Sequence, residues 1–301
     1  MTLHRKVKHL QAQTSSSKKP RVLVFDSGVG GLSICREIIT RTEAIELHYL
    51  SDNAAFPYGE KTTEQLIDRA NRVLLSACEQ IQPDIVVIAC NTASTVVLPS
   101  LRTQLSIPIV GVVPAIKSAA SISKSKTFAL LATPGTVERD YTQQLINEHA
   151  ANHQVIRLGS SQLVKHIEAH IHGQAIDSDY LSSVVAQLSH QVGGNNIDTV
   201  VLGCTHFPLI SEHFKAIKPN WQWIDSGAAI AERVNHLLSE SGLIKNSAKT
   251  VSAHTDHQLW LTQACSQQAT LDSYMASYLI NDKFNNTSNA TFGASRILAI
   301  D

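Results

Sequence analysis

The sequence predicts an α/β protein of two similar lobes. Each is built on an open, mainly parallel sheet, and a pseudo-two-fold relates them across an active-site cleft. Three observations predict this. Short apolar, β-branched runs alternate with helix-period segments along most of the chain, the pattern of parallel sheets with right-handed crossovers. Two of those runs end alike, "IVVIACNT" at 85–92 and "TVVLGCTH" at 199–206. The length, 301 residues with 43% apolar and 17% charged, suffices for two domains with a substantial core.

Residues 1–20 are polar and Ser/Lys-rich and read as a disordered extension. "RVLVFD" (21–26) is a strand, and "GGLSICREIITR" (30–41) a helix with Ile34, Ile38 and Ile39 on one face. "ELHYLSD" (46–52) is a second strand, and residues 62–81 form a long helix opened by a capping signal. "DIVVIAC" (84–90) and "PIVGVV" (108–113) are the third and fourth strands. A second set follows: strand 127–133, helix 137–150, strand 153–160, helices 161–171 and 179–192, and strand 198–204. Residues 222–240 repeat strand, turn, helix, and "WIDSG" at 223–227 echoes "VFDSG" at 24–28. The predicted lobes are 21–113, completed by 225–301, and 114–224. Past residue 244 the stretch 256–279 predicts one helix, and "NNTSNAT" reads as a loop with chance sequons.

Net charge is zero, so there is no electrostatic footprint for nucleic acid. No apolar run is long enough to cross a bilayer, and no signal core follows the basic N-terminus. The expected location is the cytoplasm. The five cysteines are widely spaced, with no C-x-x-C, which argues against a disulfide scaffold or a cysteine zinc site.

Cys35 and Cys78 fall in helix patterns and read as small buried apolar side chains. Cys90 and Cys204 differ. Each follows a buried strand and precedes polar residues, Asn91-Thr92 or Thr205-His206, that are costly to bury for packing alone. Ligands of open parallel sheets sit beyond the carboxyl ends of the strands, where Asp26 and Ser27 also fall. Two such thiols can be a redox pair, a metal site or two proton carriers. A redox pair usually lies close in sequence, and a metal needs more ligands than His206 supplies. Two proton carriers fit a racemase, which takes a proton from one face of a carbon and returns one to the other. Only about a few per cent of an ordinary thiol is thiolate at neutral pH, so neighbours must tune it. Asp26 beside Cys90 and His206 beside Cys204 are the candidates.

"FDSGVGGLS" (25–33) is strand, Gly-rich turn, helix; Ser33 stands where a dinucleotide fingerprint has its third Gly, leaving an anion cradle as the reading. "FPYGEK" (56–61) offers Tyr58 and Gly59 for a carboxylate, or is an ordinary turn. "ATPGT" offers Thr133 and Thr136 after a strand, or caps a helix. His166, His170 and His172 lie at helical spacing and read as a solvated face rather than a metal site.

Together "FDSGVGGLS", "SDNAAFPYGEK", "ACNTAS", "VGVVPAIKSA", "LLATPGT", "VLGCTHFPLI" and "DSGAAIA" resemble the glutamate racemases of the cofactor-independent aspartate/glutamate racemase superfamily. The resemblance covers roughly residues 21 to 240 and departs after about 245. It implies Cys90 and Cys204 as the two bases, with no cofactor, no pyridoxal phosphate and no metal. By resemblance, Cys90 deprotonates D-glutamate and Cys204 deprotonates L-glutamate. Asp26, Ser27, Tyr58, Gly59, Asn91, Thr92, Thr205 and His206 look like the substrate-binding set, and Asp52 and Glu168 match acidic residues that assist the thiols. The implied role is D-glutamate supply for peptidoglycan, hence cell wall biogenesis and cell shape, by a monomer or homodimer. The basic extension and "VGVVPAIKSA" look like the subgroup activated by a UDP-linked muramoyl-alanine precursor.

Overall fold

A computed structural model describes residues 19–42, 45–244, 255–280 and 290–300. The extension, up to residue 18, and most of "NNTSNAT" lie outside the described residues. The first sheet opens with β1 (Arg21–Asp26), β2 (Glu46–Ser51), β3 (Ile85–Ile88) and β4 (Ile109–Gly111), joined by α1 (Leu32–Arg41), α2 (Thr63–Ile81) and α3 (Asn91–Gln104). After α4 (Ile116–Ile122) comes a second sheet of β5 (Thr127–Ala132), β6 (Gln154–Gly159), β7 (Thr199–Leu202) and β8 (Gln222–Ile224). Between its strands lie α5 (Pro134–Glu138), α6 (Asp140–His149), α7 (Ser161–Ile171), α8 (Ser178–His190) and α9 (Ser211–Ile217). The chain then returns through α10 (Gly227–Glu240) and ends in β9 (Thr255–Leu261), α11 (Gln268–Ile280), β10 (Ala290–Phe292) and β11 (Arg296–Ile297).

The strand orders are β2-β1-β3-β4 and β6-β5-β7-β8, every pairing parallel. The two sheets therefore share one topology. The central strands β3 and β7 are buried throughout, as continuous apolar runs covered on both faces must be. The match reaches the register. Phe25 faces Ile88 in the first sheet and Leu131 faces Leu202 in the second. Just beyond, Ala89 N–H donates to Phe25 O and Gly203 N–H to Leu131 O. Cys90 and Cys204 thus occupy equivalent positions. The "VFDSG"/"WIDSG" echo does not share this equivalence. β8 takes the place of β4, and the counterpart of β1 is β5, which leads into Thr133.

The lobes are packed together. One cluster of buried side chains runs from Val22 and Val24 of the first sheet to Leu131 and Leu202 of the second. The chain crosses between the sheets at 112–115 and 225–226, and Ser226 Oγ donates to Val113 O, tying the crossings together.

The sequence reading differs from the structure at several places, and it named neither α4 nor α9. It placed no element between the third and fourth strands, where α3 runs. Pro99 and the β-branched Thr92, Thr95, Val96 and Val97 weaken helix propensity there. The helix expected over 137–150 is broken at Arg139, whose backbone is extended, giving α5 and α6. The single helix expected over 256–279 is a strand and a helix. β9 pairs with β2 and carries β10 and β11, extending that sheet to seven strands.

Candidate active site

The strand ends of both sheets face one cavity. Asp26, Ser27, Tyr58, Gly59, Cys90, Asn91 and Thr92 line it from the first sheet's side, and Thr133, Cys204, Thr205 and His206 from the second. All were singled out from the sequence. The two thiols are nearly buried, at 6% and 7% exposure.

Cys90 is the N-cap residue of α3, so its sulfur sits at the positive end of a 14-residue helix. Burial pushes its thiol pKa up, as do the charges of Asp26 and Cys204; the Ala93 N–H and the Ser27 hydroxyl pull the other way. Asp26 is fully buried, accepting from Ser27 N–H at 2.6 Å and Thr205 Oγ1 at 2.9 Å. Burial also raises its pKa, against the lowering effect of His206.

Cys204 has a different neighbour. Its sulfur lies 3.9 Å from His206 Nδ1, and His206 Nε2 lies 2.7 Å from Glu168 Oε2. Burial works against a charged His206, yet contact with Cys204 and Glu168 raises its pKa well above the ordinary value. Burial likewise disfavours the Glu168 carboxylate. Contacts with His172 and His206, the His206 charge and the Val29 N–H overcome this and hold it at about 2.

The Gly-rich turn 28–31 grips this second half. A Cβ on Gly30 would stand 2.3 Å from His206 Nδ1 and 2.8 Å from Asp26 Oδ2, so only glycine permits the approach. Ser33 Oγ donates to Thr205 O at 2.8 Å. The anion cradle read from this turn is therefore filled from within: the Val29 N–H donates to Glu168 Oε2 at 3.1 Å.

Three sequence-selected residues stand off the cavity wall. Asp52 is fully buried behind Tyr58. It accepts from Tyr58 Oη at 2.6 Å, from Arg69 at 2.6 and 2.9 Å and from Thr262 Oγ1 at 2.7 Å, and it touches neither thiol. Thr136 lies behind Thr133 in a hydroxyl chain, Thr92 Oγ1 to Thr133 Oγ1 at 3.2 Å and on to Thr136 Oγ1 at 2.9 Å. Glu168 reaches the cavity through His206.

Glu60, Ser161 and Val164 also line the cavity and were not singled out. Glu60 pairs with Lys165 of α7 at 2.5 Å, linking the two lobes. No local pattern marks these three, since they meet only across the cleft. Asn91 Oδ1 carries a different kind of signal. It is buried, lies on the wall, and has no hydrogen-bond partner. An orphaned acceptor at a cavity suits a donor on a ligand. The three histidines do not converge: His166 stacks on Tyr180, His170 bonds Gln174 O, and His172 contacts Glu168. Among the described residues no cluster of three or more His, Cys, Asp or Glu has metal-binding geometry.

The chain is similar in sequence and fold to known racemases. The Asp/Glu/Hydantoin racemase family model matches residues 22–234. A glutamate racemase of Vibrio cholerae is 53% identical over 225 residues, 74% of this chain and 83% of that one. One from Shewanella frigidimarina is 48% identical over 233 residues, 77% of this chain and 87% of its own. The crystal structure of Escherichia coli glutamate racemase with L-glutamate and the activator UDP-MurNAc-ala superposes with a TM-score of 0.79 at 37% identity, covering 93% of this chain and 99% of that chain. The chain belongs to the Asp/Glu/Hydantoin racemase family, among its glutamate racemases.

Proposed function

We propose that the protein interconverts L- and D-glutamate with two thiols and no cofactor, one thiolate removing the α-proton while the opposite thiol returns one. The observation that carries this reading is the pair Cys90 and Cys204, at matched strand ends on one cavity. A substrate pinned between them offers one face of its α-carbon to each. Asn91 Oδ1 accepts from the ammonium, with Asp26 as its counter-charge. Hydroxyls of Ser27, Thr92, Thr133 and Thr205 and the loop of Tyr58 and Gly59 hold the carboxylates. Asp52 acts through Tyr58, whose hydroxyl it fixes.

The α-proton is far less acidic than a thiol. Each ten units of pKa mismatch costs roughly 14 kcal/mol. The site offsets this by fixed donors around the developing carbanion in a cavity that excludes water. The His206–Glu168 pair holds a cation beside Cys204. Cys90 sits at the N-terminus of α3, and its raised pKa suits the form that hands a proton over. In this reading Cys204 is the base toward L-glutamate and Cys90 toward D-glutamate.

The product fits D-glutamate supply for peptidoglycan, hence cell wall biogenesis and cell shape, in the cytoplasm. Among the described residues no helix is long and apolar enough to cross a membrane. A UDP-linked muramoyl-alanine precursor is the proposed activator, supported by the E. coli relative crystallised with such a compound.

The test is circular dichroism of the purified protein with L-glutamate, then L-aspartate, with and without the activator. Loss of optical activity with glutamate alone is expected, unchanged by chelator or hydroxylamine. Wash-out of the α-deuterium, followed by NMR, should fail first for D-glutamate in Cys90→Ser and for L-glutamate in Cys204→Ser. Equal loss for both enantiomers in both variants refutes the division of faces.

A further inference from the structure

Behind the Cys204 half of the site the polar contacts do not stop at Glu168. Its second oxygen, Oε1, lies 3.6 Å from His172 Nε2, beyond hydrogen-bond length and within ion-pair reach. His172 is the C-cap residue of α7, one turn after Glu168, and Gly173 beyond it has φ +99°, which turns the chain out of the helix. The other ring nitrogen, Nδ1, lies 3.9 Å from Cys265 Sγ. Cys265 belongs to the turn between β9 and α11, past the end of the family match at residue 234. The same turn closes on the other half of the site. Thr262 Oγ1 donates to Asp52, and the N–H groups of Thr262 and Gln263 donate to Asn53 Oδ1. One short segment of the tail therefore backs both lobes' side chains behind the cavity.

We propose that His172, seated by Cys265, is a positioning residue for the acid/base pair His206–Cys204. Glu168 reaches His206 through three side-chain torsions, and its side chain is 14% exposed, so packing alone does not fix which way the carboxylate turns. Contact on Oε1 from His172 leaves Oε2 aimed at His206 Nε2 and the Val29 N–H. Without it the carboxylate is held on one side only, and the charge opposite His206 weakens. The groups facing this pair from neighbouring elements are His206 and Cys204 after β7, Asp26 at the end of β1, Tyr49 of β2 and Cys265 of the tail. The first readout below is independent of the reaction; the second rests on the proposal that Cys204 serves L-glutamate.

The full chain, labelled with 15N-histidine, is titrated by NMR as wild type, His172→Ala, His172→Gln and Cys265→Ala. In His172→Ala the His206 imidazole should lose its proton about one pH unit lower, a roughly tenfold fall in proton affinity. His172→Gln, which keeps a donor, should restore most of it. Cys265→Ala should shift it the same way by less, and serves if His172→Ala does not fold. An unmoved or raised His206 titration overturns the positioning role. α-Deuterium wash-out measured in the same variants should slow for L-glutamate and not for D-glutamate. A lowered His206 titration with equal slowing for both enantiomers keeps the positioning role and overturns the division of faces instead.

Discussion

The two cysteine-bearing strand ends start from the same backbone and finish differently. β3 and β7 hold the same register against β1 and β5, and the same amide closes each end. Beyond Cys90 the chain enters α3, so the sulfur sits at the positive end of that helix. Beyond Cys204 it makes a turn that lays His206 against the sulfur, with Glu168 behind the ring. One half sets its thiol at a helix terminus, the other beside an ion pair. A repeated fold fixes where two groups stand; the few residues after each strand fix what they can do.

Removing either thiol should have the largest effect. Cys90→Ala and Cys204→Ala should each lower racemisation by about 10²–10⁴-fold or more, read by circular dichroism, with the thermal melt preserved. Near-normal turnover in either variant breaks the two-base comparison at once. The halves should also separate by pH. Because burial raises the Cys90 pKa, wash-out from D-glutamate should keep climbing through alkaline pH as its thiolate fraction grows.

The next effect belongs to the ion pair alone. Glu168 is held at about 2, against 4.5 for an ordinary glutamate. A lowered folded value stabilises the protein above about pH 4.5 and is lost as pH falls toward 2, worth on the order of 3 kcal/mol. His206 has the opposite sign. Its raised value stabilises below the unfolded value near 6.5 and is lost as pH rises through the folded one. Glu168→Gln should therefore flatten the acid limb of the stability curve measured by denaturant titration. An acid limb as steep as wild type would assign that loss to other carboxylates. Gly30→Ala comes next. Its Cβ meets His206 Nδ1 at 2.3 Å, and the overpacking should cost about 1–3 kcal/mol in the same titration. Unchanged stability would show that the 28–31 turn has room to retreat from the second lobe.

Much of this site was legible from the chain because its residues are local to strand ends. A strand that buries both faces and stops at Cys-Asn-Thr or Cys-Thr-His announces a loop at a cleft. The contacts that unite the halves were not legible, since they join residues far apart in sequence. Glu60 with Lys165, and Cys265 with His172, have no local signature. α3 was hidden by Pro99, which a helix tolerates here with its buried face, Ala93, Val97 and Leu101, packed into the core. β9 was hidden because "DHQLWL" alternates too briefly to be told from a helix segment until β2 supplies its partner. Asp52 enters the site set by family resemblance alone, and only the fold shows that Tyr58 stands between it and the cavity.

The smallest expected effect tests the same distinction at the end of β5, where wall and backing differ by one hydroxyl. Thr133 lines the cavity, in the place Ser27 holds after β1. Thr136 is fully buried behind it and bonds only to Thr133 through its side chain. Thr136→Val keeps the shape and removes that bond, so stability should fall by about 0.5–1.5 kcal/mol. Its KM should stay close to wild type, because Thr133 Oγ1 keeps Thr92 as a partner at 3.2 Å. Thr133→Val removes a hydroxyl from the wall itself and should raise KM severalfold with a similar loss of stability. The two variants are compared by KM for L-glutamate and by thermal melt. A KM raised equally in both would mean that Thr136 works through Thr133 on the substrate, and that the hydroxyl chain acts as one unit.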